Sequence, residues 1–322
     1  MAPLFDLPLP ELIRRRPDVL RPADFEEFWR RTLEESAPRR RLEVVPVETG
    51  LRSVLTSDVA FGGFGGDRIS AWWHRPVTRE PLRGVVVRFI GYGGGRGLPH
   101  EIDTWPLAGF GQLTVDSRGQ GWKAARPGVT PDPHGSEPSV PGHLTRGIES
   151  PESYYYRRFF VDAVRAVDAA VELGEGVPVI VAGGSQGGGV AIAAAALSSR
   201  VSAALVDVPF LCDIARAVTL TETGPYRELV EYFAARPGSV DATLRTLSYF
   251  DGVNMARQAD VPALFSVALM DRVCPPSTVY AAYNWWSHPD KQIESYPFNQ
   301  HEGGGPVHRR LQLEWLERRF PG

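Results

Sequence analysis

The chain has 322 residues, of which 43% are hydrophobic and 10% aromatic, so it can bury a large core and a disordered chain is excluded. Its 35 basic and 38 acidic residues give a formal net charge of −3, which excludes an overall field that attracts nucleic acid or a membrane surface. The two cysteines, Cys212 and Cys274, are too few for a disulfide framework. We therefore expect a folded, cytoplasmic protein.

The first 50 residues are expected to form an extension that packs on the main domain as a cap. They are polar and rich in Arg and Pro, and residues 24–36 have the apolar spacing of an amphipathic helix. The apolar face of this helix consists of Phe25, Phe28, Trp29 and Leu33. The amino terminus lacks the apolar core of a signal peptide, and no later stretch has the about 18 consecutive apolar residues of a membrane span.

Residues 54–61 and 67–75 are rich in β-forming residues and flank the turn GGFGGD, which predicts a hairpin at a sheet edge. Short apolar runs then alternate with helical segments, and this predicts a mostly parallel sheet with helices on both faces. The predicted strands are 85–90, 112–115, 178–182, 203–206, 263–269 and 292–298. The predicted helices are 153–173, 187–199, 276–286 and 307–319.

Residues 116–151 are irregular, rich in Gly and Pro, and too long for an ordinary connection in a compact domain. Insertions of this kind serve as lids or as subunit contacts. The sequence contains no internal repeat and no linker between two cores. We therefore expect residues 1–322 to form a single α/β domain with insertions.

The strongest local motif is PVIVAGGSQGGG at residues 178–189, where a β-branched run ends in a glycine-rich turn and an Ala-rich helix follows. This is the G-x-S-x-G nucleophile elbow in its strand–turn–helix context, with Ser185 at the centre. The flanking glycines are needed because the turn is too tight for side chains. The alternative interpretation is a glycine-rich turn that only leads into a packed helix.

A serine hydroxyl needs a base to accept its proton, and in this arrangement the base and its acid follow the serine in the chain. His301 directly follows the last predicted strand, in NQHEGGG, and is the predicted base. His288 precedes that strand and His308 lies within the last predicted helix. Both are interpreted as surface histidines.

Asp271 ends the apolar run before the loop RVCPP and is the favoured acid. Asp207 ends the preceding strand and is the alternative, although its neighbours VPF indicate a buried turn in which an aspartate accepts from backbone donors. Cys274 is interpreted as a small buried hydrophobic residue or as a neighbour of the acyl pocket.

An acyl-transfer site also needs donors for the developing oxyanion. The backbone N–H of Gln186 is one candidate, and the glycine-rich loop GYGGGRG at 91–97 offers the second. This loop contains no G-x-G-x-x-G register and is followed by no Walker lysine, so phosphate binding is disfavoured. The histidines form no H-E-x-x-H motif, so neither a metal nor a cofactor is predicted.

Three motifs together resemble carbohydrate esterase family 7, the acetylxylan esterases and cephalosporin-C deacetylases: RGQ at 118–120, GGSQG at 183–187 and HE at 301–302. Longer stretches are also similar, including FDLPL, GYGGGRG, PGHLTRGI, YYYRR, DVPFL, RTLSYFDGVN, MDRVCPPST and HEGGG. The resemblance therefore extends from about Phe5 to the end of the chain.

The resemblance implies an α/β-hydrolase fold and a serine esterase that deacetylates acetylated xylo-oligosaccharides and cephalosporin C through an acyl-enzyme intermediate, without a cofactor. Carried over to this sequence, Ser185 is the nucleophile, His301 the base and Asp271 the orienting acid. The amides of Tyr92 and Gln186 form the oxyanion hole. The resemblance also implies a cytoplasmic hexamer with the 116–151 insertion at subunit contacts. Another carboxylesterase or a peptidase-like hydrolase is the alternative enzyme, and a binding protein without activity is the non-enzymatic alternative.

Two departures from the family pattern concern the loops around the site. Gly93 stands where many relatives have Asn and is expected to loosen the glycine-rich loop. The segment after Gln120 is rearranged, which leaves the position of Trp122 undetermined.

The remaining candidates line or brace the site. Arg118 and Gln120 are expected to tie down neighbouring loop carbonyls. Pro225 and Tyr226 are candidates for the wall of the acyl pocket, and Tyr92 is a further candidate for contact with the substrate.

Overall fold

The computed structural model of the protein describes residues 5–37, 41–134 and 142–322. Its strands are β1 (Glu43–Val47), β2 (Val54–Gly62), β3 (Arg68–Pro76), β4 (Val85–Phe89), β5 (Gly111–Val115), β6 (Val179–Gly184), β7 (Val201–Asp207), β8 (Ala263–Ala268) and β9 (Lys291–Tyr296). They form one sheet in the order β1-β2-β3-β5-β4-β6-β7-β8-β9. Six neighbouring strands, β5, β4, β6, β7, β8 and β9, run parallel to one another. The strands β1, β2 and β3 extend the sheet beyond β5 with antiparallel pairing.

The helices are α1 (Leu9–Leu12), α2 (Phe25–Glu35), α3 (Tyr155–Leu173), α4 (Gln186–Leu197), α5 (Ile214–Leu220), α6 (Tyr226–Ala235), α7 (Val240–Ser248), α8 (Gly252–Ala256), α9 (Pro276–Trp285) and α10 (Gly305–Arg319). The parallel strands are apolar on both faces because helices cover both. In β4, Val85 and Val87 join the core beneath α3 and α4, whereas Val86 packs with Trp315 and Leu316 of α10 on the opposite face.

The predicted α/β architecture is confirmed, and the six predicted parallel strands and four predicted helices are all present. The short helices α5 to α8, within residues 214–256, were not predicted. Short helices gain most of their stability from tertiary packing, so their sequences carry a weak local signal. The hairpin β2–β3 is also present, but it is not at the sheet edge because β1 pairs outside it.

The amino-terminal segment packs on the domain through the predicted face of α2. Phe25, Phe28 and Trp29 are buried, whereas Leu33 is only partly buried and Thr32 completes the buried face. The Trp29 indole stacks on Phe160 with ring centroids 5.9 Å apart. The chain after α2 also contributes β1, so the extension supplies part of the sheet in addition to a cap.

The described parts of the insertion, residues 116–134 and 142–151, contain neither helix nor strand, as predicted from their composition. Residues 135–141 lie outside the described residues. The buried Asp116 carboxylate holds this segment because it accepts hydrogen bonds from the backbone N–H groups of Arg96, Val129 and Thr130. Within the described ranges, no helix is long and apolar enough to cross a membrane.

We expect Trp29→Ala to lower the free energy of unfolding by about 3–5 kcal/mol, because it opens a cavity between α2 and α3. It also removes the indole N–H hydrogen bond to the carbonyl of Tyr249, at 3.0 Å. Arg30→Ala on the exposed face of the same helix is the matched control, and we expect it to leave the melting temperature nearly unchanged. Calorimetry should record a single unfolding transition. A separate early transition for the Trp29 variant would contradict a single domain.

Candidate active site

The turn between β6 and α4 holds Ser185 in a conformation that side-chain-bearing residues rarely adopt, with φ 58° and ψ −124°. Its flanking glycines are sterically required. A Cβ on Gly183 would lie 2.4 Å from the backbone of Gly187, and a Cβ on Gly187 would lie 2.3 Å from the carbonyl oxygen of Phe89. This close backbone packing distinguishes the elbow from an ordinary glycine-rich turn.

The end of the neighbouring strand, β7, and the residues after it stabilise the strained backbone of Ser185 through hydrogen bonds. The Ser185 N–H donates to the carbonyl of Asp207 at 3.0 Å, and the Ser185 carbonyl accepts from the N–H of Phe210 at 2.9 Å. Strained backbone of this kind persists only where its surroundings enforce it. Residues 207–210 supply that constraint.

Ser185, His301 and Asp271 form a continuous hydrogen-bonded chain. The Ser185 Oγ lies 2.9 Å from His301 Nε2, and His301 Nδ1 lies 2.9 Å from Asp271 Oδ2. The other oxygen of Asp271 accepts from the N–H groups of Val273 and Cys274 at 2.8 and 3.0 Å. Asp271 is fully buried, whereas His301 remains partly exposed. The carboxylate thus favours the His301 tautomer with a proton on Nδ1, which leaves Nε2 free to accept the serine proton.

The alternative acid, Asp207, is engaged elsewhere. Its carboxylate oxygens accept from Gln312 Nε2 at 2.9 Å, and one of them lies 3.0 Å from His308 Nε2. The interpretation of His308 as a surface histidine is wrong, because α10 turns this side chain towards the sheet and only 2% of it is exposed. The prediction that Asp207 satisfies backbone donors is also wrong, since its carboxylate binds side chains of α10. His288 is partly exposed.

Cys274 is fully buried beside Asp271 and His301, as expected of a small hydrophobic residue. Its Sγ and the ligand atoms of Asp271 and His301 lie within 4.8 Å of one another. Burial, together with the charge of Asp271, raises the pKa of the Cys274 thiol well above its usual value. A protonated thiol beside an already hydrogen-bonded acid and histidine is a poor metal site.

The glycine-rich loop passes directly over the elbow. A Cβ on Gly91 would lie 3.9 Å from the Cβ of Ser185. The carbonyl of Gly91 accepts from the N–H of Gly94 at 3.0 Å, and the N–H of Gly93 donates to Gln120 Oε1 at 2.7 Å. These two bonds fix the peptide groups on either side of Tyr92.

Gln120 connects this loop to the start of α4. Its Nε2 donates to Gln186 Oε1 at 3.0 Å, and Gln186 Nε2 in turn donates to the carbonyl of Ile90 at 3.2 Å. Tyr156 also donates to Gln186 Oε1 at 2.9 Å. Because these side chains are buried, the network holds the glycine-rich loop and the elbow in one relative position.

The expectation that Arg118 ties down loop carbonyls is wrong. Its fully buried guanidinium binds carboxylates, with Asp162 at 2.5 and 2.7 Å, Asp67 at 2.9 Å and Asp132 at 3.2 Å. Asp162 lies on α3, so this ion cluster connects the insertion to the helix layer. Only the Arg118 carbonyl joins the loop network, where it accepts from Tyr155 at 2.6 Å.

Glu228 on α6 is a site residue that the sequence reasoning missed. Tyr92 Oη donates to Glu228 Oε1 at 2.6 Å and accepts from the N–H of His143 at 2.9 Å. The second carboxylate oxygen of Glu228 accepts from the N–H of Leu144 at 3.1 Å. Burial and the charge of Glu228 raise the pKa of Tyr92 far above its ordinary value, so the phenol stays protonated. No local motif marks Glu228, because its partners are more than 80 residues away in the chain.

A cavity of about 910 Å³ opens at Ser185 and His301. Tyr92, Trp122 and Pro225 are among the residues that line it. Tyr226 does not line it. This ring is buried against Phe210, with centroids 4.1 Å apart, and its hydroxyl accepts from the N–H of Leu211.

The two departures from the family pattern, Gly93 and the segment after Gln120 that contains Trp122, pack against each other. A Cβ on Gly93 would lie 2.8 Å from the ring of Trp122, so the indole occupies the space that a larger residue would need. Trp122 stacks on His143 with centroids 5.3 Å apart and 19° between the planes. Burial lowers the pKa of His143 to about 4, so the imidazole is neutral. Gly93 therefore permits close packing of Trp122 instead of leaving a gap in the loop.

Comparison with known proteins agrees with this geometry. The family model "Acetyl xylan esterase (AXE1)" matches residues 1–319. The chain belongs to the acetyl xylan esterase family. This family consists of carboxylic ester hydrolases, and the predicted resemblance and α/β-hydrolase fold are both confirmed.

Individual relatives support the same assignment. An acetyl xylan esterase from Paenibacillus sp. R4 is 36% identical, with a TM-score of 0.88 over 97% of this chain and 99% of that one. Acetyl xylan esterase 1 from Thermoanaerobacterium sp. is 32% identical, with a TM-score of 0.85 over 96% and 99% of the two chains. The acetyl esterase Axe7A of Xylanibacter ruminicola is 32% identical over 181 residues, which are 55% of this chain and only 39% of that protein.

We expect Gly187→Ala to destabilise this esterase by about 3 kcal/mol, because the added methyl group collides with the carbonyl of Phe89. Gly238→Ala is the control, since a Cβ there meets nothing within 4 Å. Its effect on unfolding should stay within about 0.5 kcal/mol. The measurement is the free energy of unfolding in urea, and equal effects of the two substitutions would contradict the steric explanation of the elbow.

Proposed function

We propose that the protein deacetylates O-acetylated xylo-oligosaccharides and comparable small acetyl esters, including cephalosporin C, through an acyl-enzyme intermediate. The observation that carries the proposal is the hydrogen-bonded chain from Asp271 through His301 to Ser185, which ends in a cavity beneath a glycine-rich loop. Membership of the acetyl xylan esterase family supports the choice of acetyl esters.

In the first half of the proposed reaction, Ser185 Oγ attacks the acetyl carbonyl while His301 Nε2 takes the serine proton. Asp271 stabilises the resulting imidazolium through Nδ1. The tetrahedral intermediate then collapses, and the bond between the carbonyl carbon and the alcohol oxygen breaks. His301 returns its proton to that oxygen, so the alcohol leaves and acetyl-Ser185 remains.

In the second half, water enters in place of the alcohol. His301 removes a proton from this water, which attacks the acetyl-serine carbonyl. Collapse of the second intermediate breaks the ester bond to Ser185 Oγ, and the proton on His301 passes to that oxygen. Acetic acid leaves and loses its proton to the solvent, and the free serine is restored without a cofactor.

The backbone N–H groups of Tyr92 and Gln186 are proposed to stabilise the oxyanion in both halves. Hydrogen bonds of the neighbouring groups support this role. The N–H of Gly93 donates to the side chain of Gln120, which in turn donates to the side chain of Gln186. Donors held in place before the reaction need no reorganisation in the transition state. Gln120 and Glu228 are thus positioning residues, since they hold the loop without touching the reacting atoms.

We further propose that the protein is cytoplasmic and hexameric, with the 116–151 insertion at subunit contacts. The two free, buried cysteines are consistent with a reducing compartment. The family resemblance supports the hexamer. Light scattering on the full chain measures the assembly directly, and a monomer would contradict this part of the proposal.

We expect Asp271→Asn to reduce kcat by about 10⁴-fold, because the amide favours the wrong tautomer of His301. Asp207→Asn is the matched control, with the same change of charge in the neighbouring strand, and should reduce kcat by less than about tenfold. Ser185→Ala should abolish formation of the acetyl-enzyme. Hydrolysis of p-nitrophenyl acetate measures kcat, and mass spectrometry detects the acetylated serine. Similar losses in the two aspartate variants would contradict the assignment.

We expect activity to fall steeply as the acyl chain lengthens, with Pro225 and Tyr92, which line the cavity at Ser185, as the proposed limit on the acyl group. Pro225→Ala should raise the ratio of p-nitrophenyl butyrate to p-nitrophenyl acetate hydrolysis by about tenfold, since it admits further methylene groups. Pro289→Ala, at an exposed position outside the cavity lining, is the control. The same ratio in all three proteins would show that Pro225 does not limit the acyl group.

A further inference from the structure

The lining of the cavity includes arginines that the proposed reaction does not use. They are Arg88 on β4, Arg126 in the insertion and Arg309 on α10, and we call them the arginine cluster. Arg88 pairs in register with Ala182, three residues before Ser185. Arg126 is fixed to the glycine-rich loop, because its carbonyl accepts from the N–H of Gly95 at 2.8 Å. Three separate parts of the chain therefore bring guanidinium groups to the cavity that holds the nucleophile.

The charge in this part of the cavity is unbalanced. Arg88 and Arg309 share one carboxylate, that of Asp103, at 2.5 and 2.7 Å. Glu101 is the second acid beside the cluster, and one of its oxygens also accepts from the N–H of Leu98. Three guanidinium groups thus face two carboxylates. The excess of about one positive charge is thus local to the five side chains of the cluster and its two acids.

The other acidic side chains of the cavity lining make their hydrogen bonds outside the arginine cluster. Asp207 accepts from Gln312 and lies 3.0 Å from His308 Nε2, and Glu228 accepts from Tyr92. Glu302 is exposed and accepts from the side chain of Asn299. The exposed Lys123 adds a further cation at the cavity rim.

Arg126 also has an unused donor. Its Nη1 is buried and has no hydrogen-bond partner among the described residues. Buried donors without a partner are rare in proteins because their desolvation is not compensated. Burial, together with the charges of Arg126 and Arg309, lowers the pKa of Arg88 to about 10. Both features are consistent with a place where an anion would bind.

We propose that the arginine cluster binds a carboxylate on the alcohol part of the ester, so that the enzyme prefers acetyl esters of acidic alcohols. A guanidinium binds a carboxylate through two parallel hydrogen bonds, and an excess of one charge matches a monoanion. In this proposal the acetyl group lies against Pro225, and the alcohol part contacts the arginine cluster. The proposal rests on the proposed esterase function.

A matched pair of substrates tests it: 3-acetoxybenzoate and its methyl ester, which is neutral. We measure kcat/KM for 3-acetoxybenzoate and divide it by kcat/KM for the methyl ester. This ratio is determined for the wild type and for Arg126→Gln, Arg309→Gln and Arg310→Gln. Arg310 is the control because it lies beside Arg309 on α10 but is exposed and outside the cavity lining. Any general loss of activity cancels in the ratio.

We expect the ratio to fall about tenfold in Arg126→Gln and in Arg309→Gln, and to stay unchanged in Arg310→Gln. High salt should lower the wild-type ratio as well. An unchanged ratio in both cluster variants, or an equal fall in the control, overturns the subsite.

A binding measurement separates this result from a failure of the esterase proposal. Calorimetry on Ser185→Ala records the binding of 3-hydroxybenzoate, the alcohol product, without turnover. We expect addition of Arg126→Gln to weaken this binding about tenfold, and equal binding would overturn the carboxylate subsite. If the wild type hydrolyses neither substrate while the arginine-dependent binding persists, this result contradicts the proposed esterase function but supports the carboxylate subsite.

Discussion

The close contact between the elbow and strand β4 is the constraint on which the rest of the site depends. Gly187 lies so near the carbonyl of Phe89 that no side chain fits between them, and this contact brings the glycine-rich loop over Ser185. The same strand continues into that loop and carries Arg88 three residues before Gly91. One backbone contact thus places the proposed nucleophile, a proposed oxyanion donor and Arg88 of the arginine cluster around a single cavity.

Buried polar networks then hold the glycine-rich loop in a fixed position relative to the elbow and the insertion. Gln120 joins the glycine-rich loop to Gln186, and Glu228 joins Tyr92 to the insertion. Such networks are stabilising only when every member is satisfied, because an unpaired polar group in a core is costly. The site is therefore built by side chains from four parts of the chain. This explains why the long irregular insertion is compatible with a precisely placed loop.

Much of this organisation can be predicted from the sequence, since strand and helix periods are local properties. The parallel strands, the elbow at Ser185 and the position of His301 after the last strand all follow from patterns of a few residues. The unpredicted features are of a different kind. The helices α5 to α8 are short and stabilised by packing, and β1 is a solvent-exposed strand that pairs with β2.

The sequence by itself determined the family, the fold class and the chain order of serine, acid and histidine, because these reside in local motifs and periodic patterns. Only the tertiary structure decided which acid meets His301. Asp207 ends β7, and Asp271 follows β8 by three residues. Asp207 accepts from Gln312 of α10 and lies 3.0 Å from His308, whereas Asp271 contacts His301. The arginine cluster also arises only in three dimensions. Its members are separated by 38 and 183 residues, so only the packing of β4, the insertion and α10 brings their charges together.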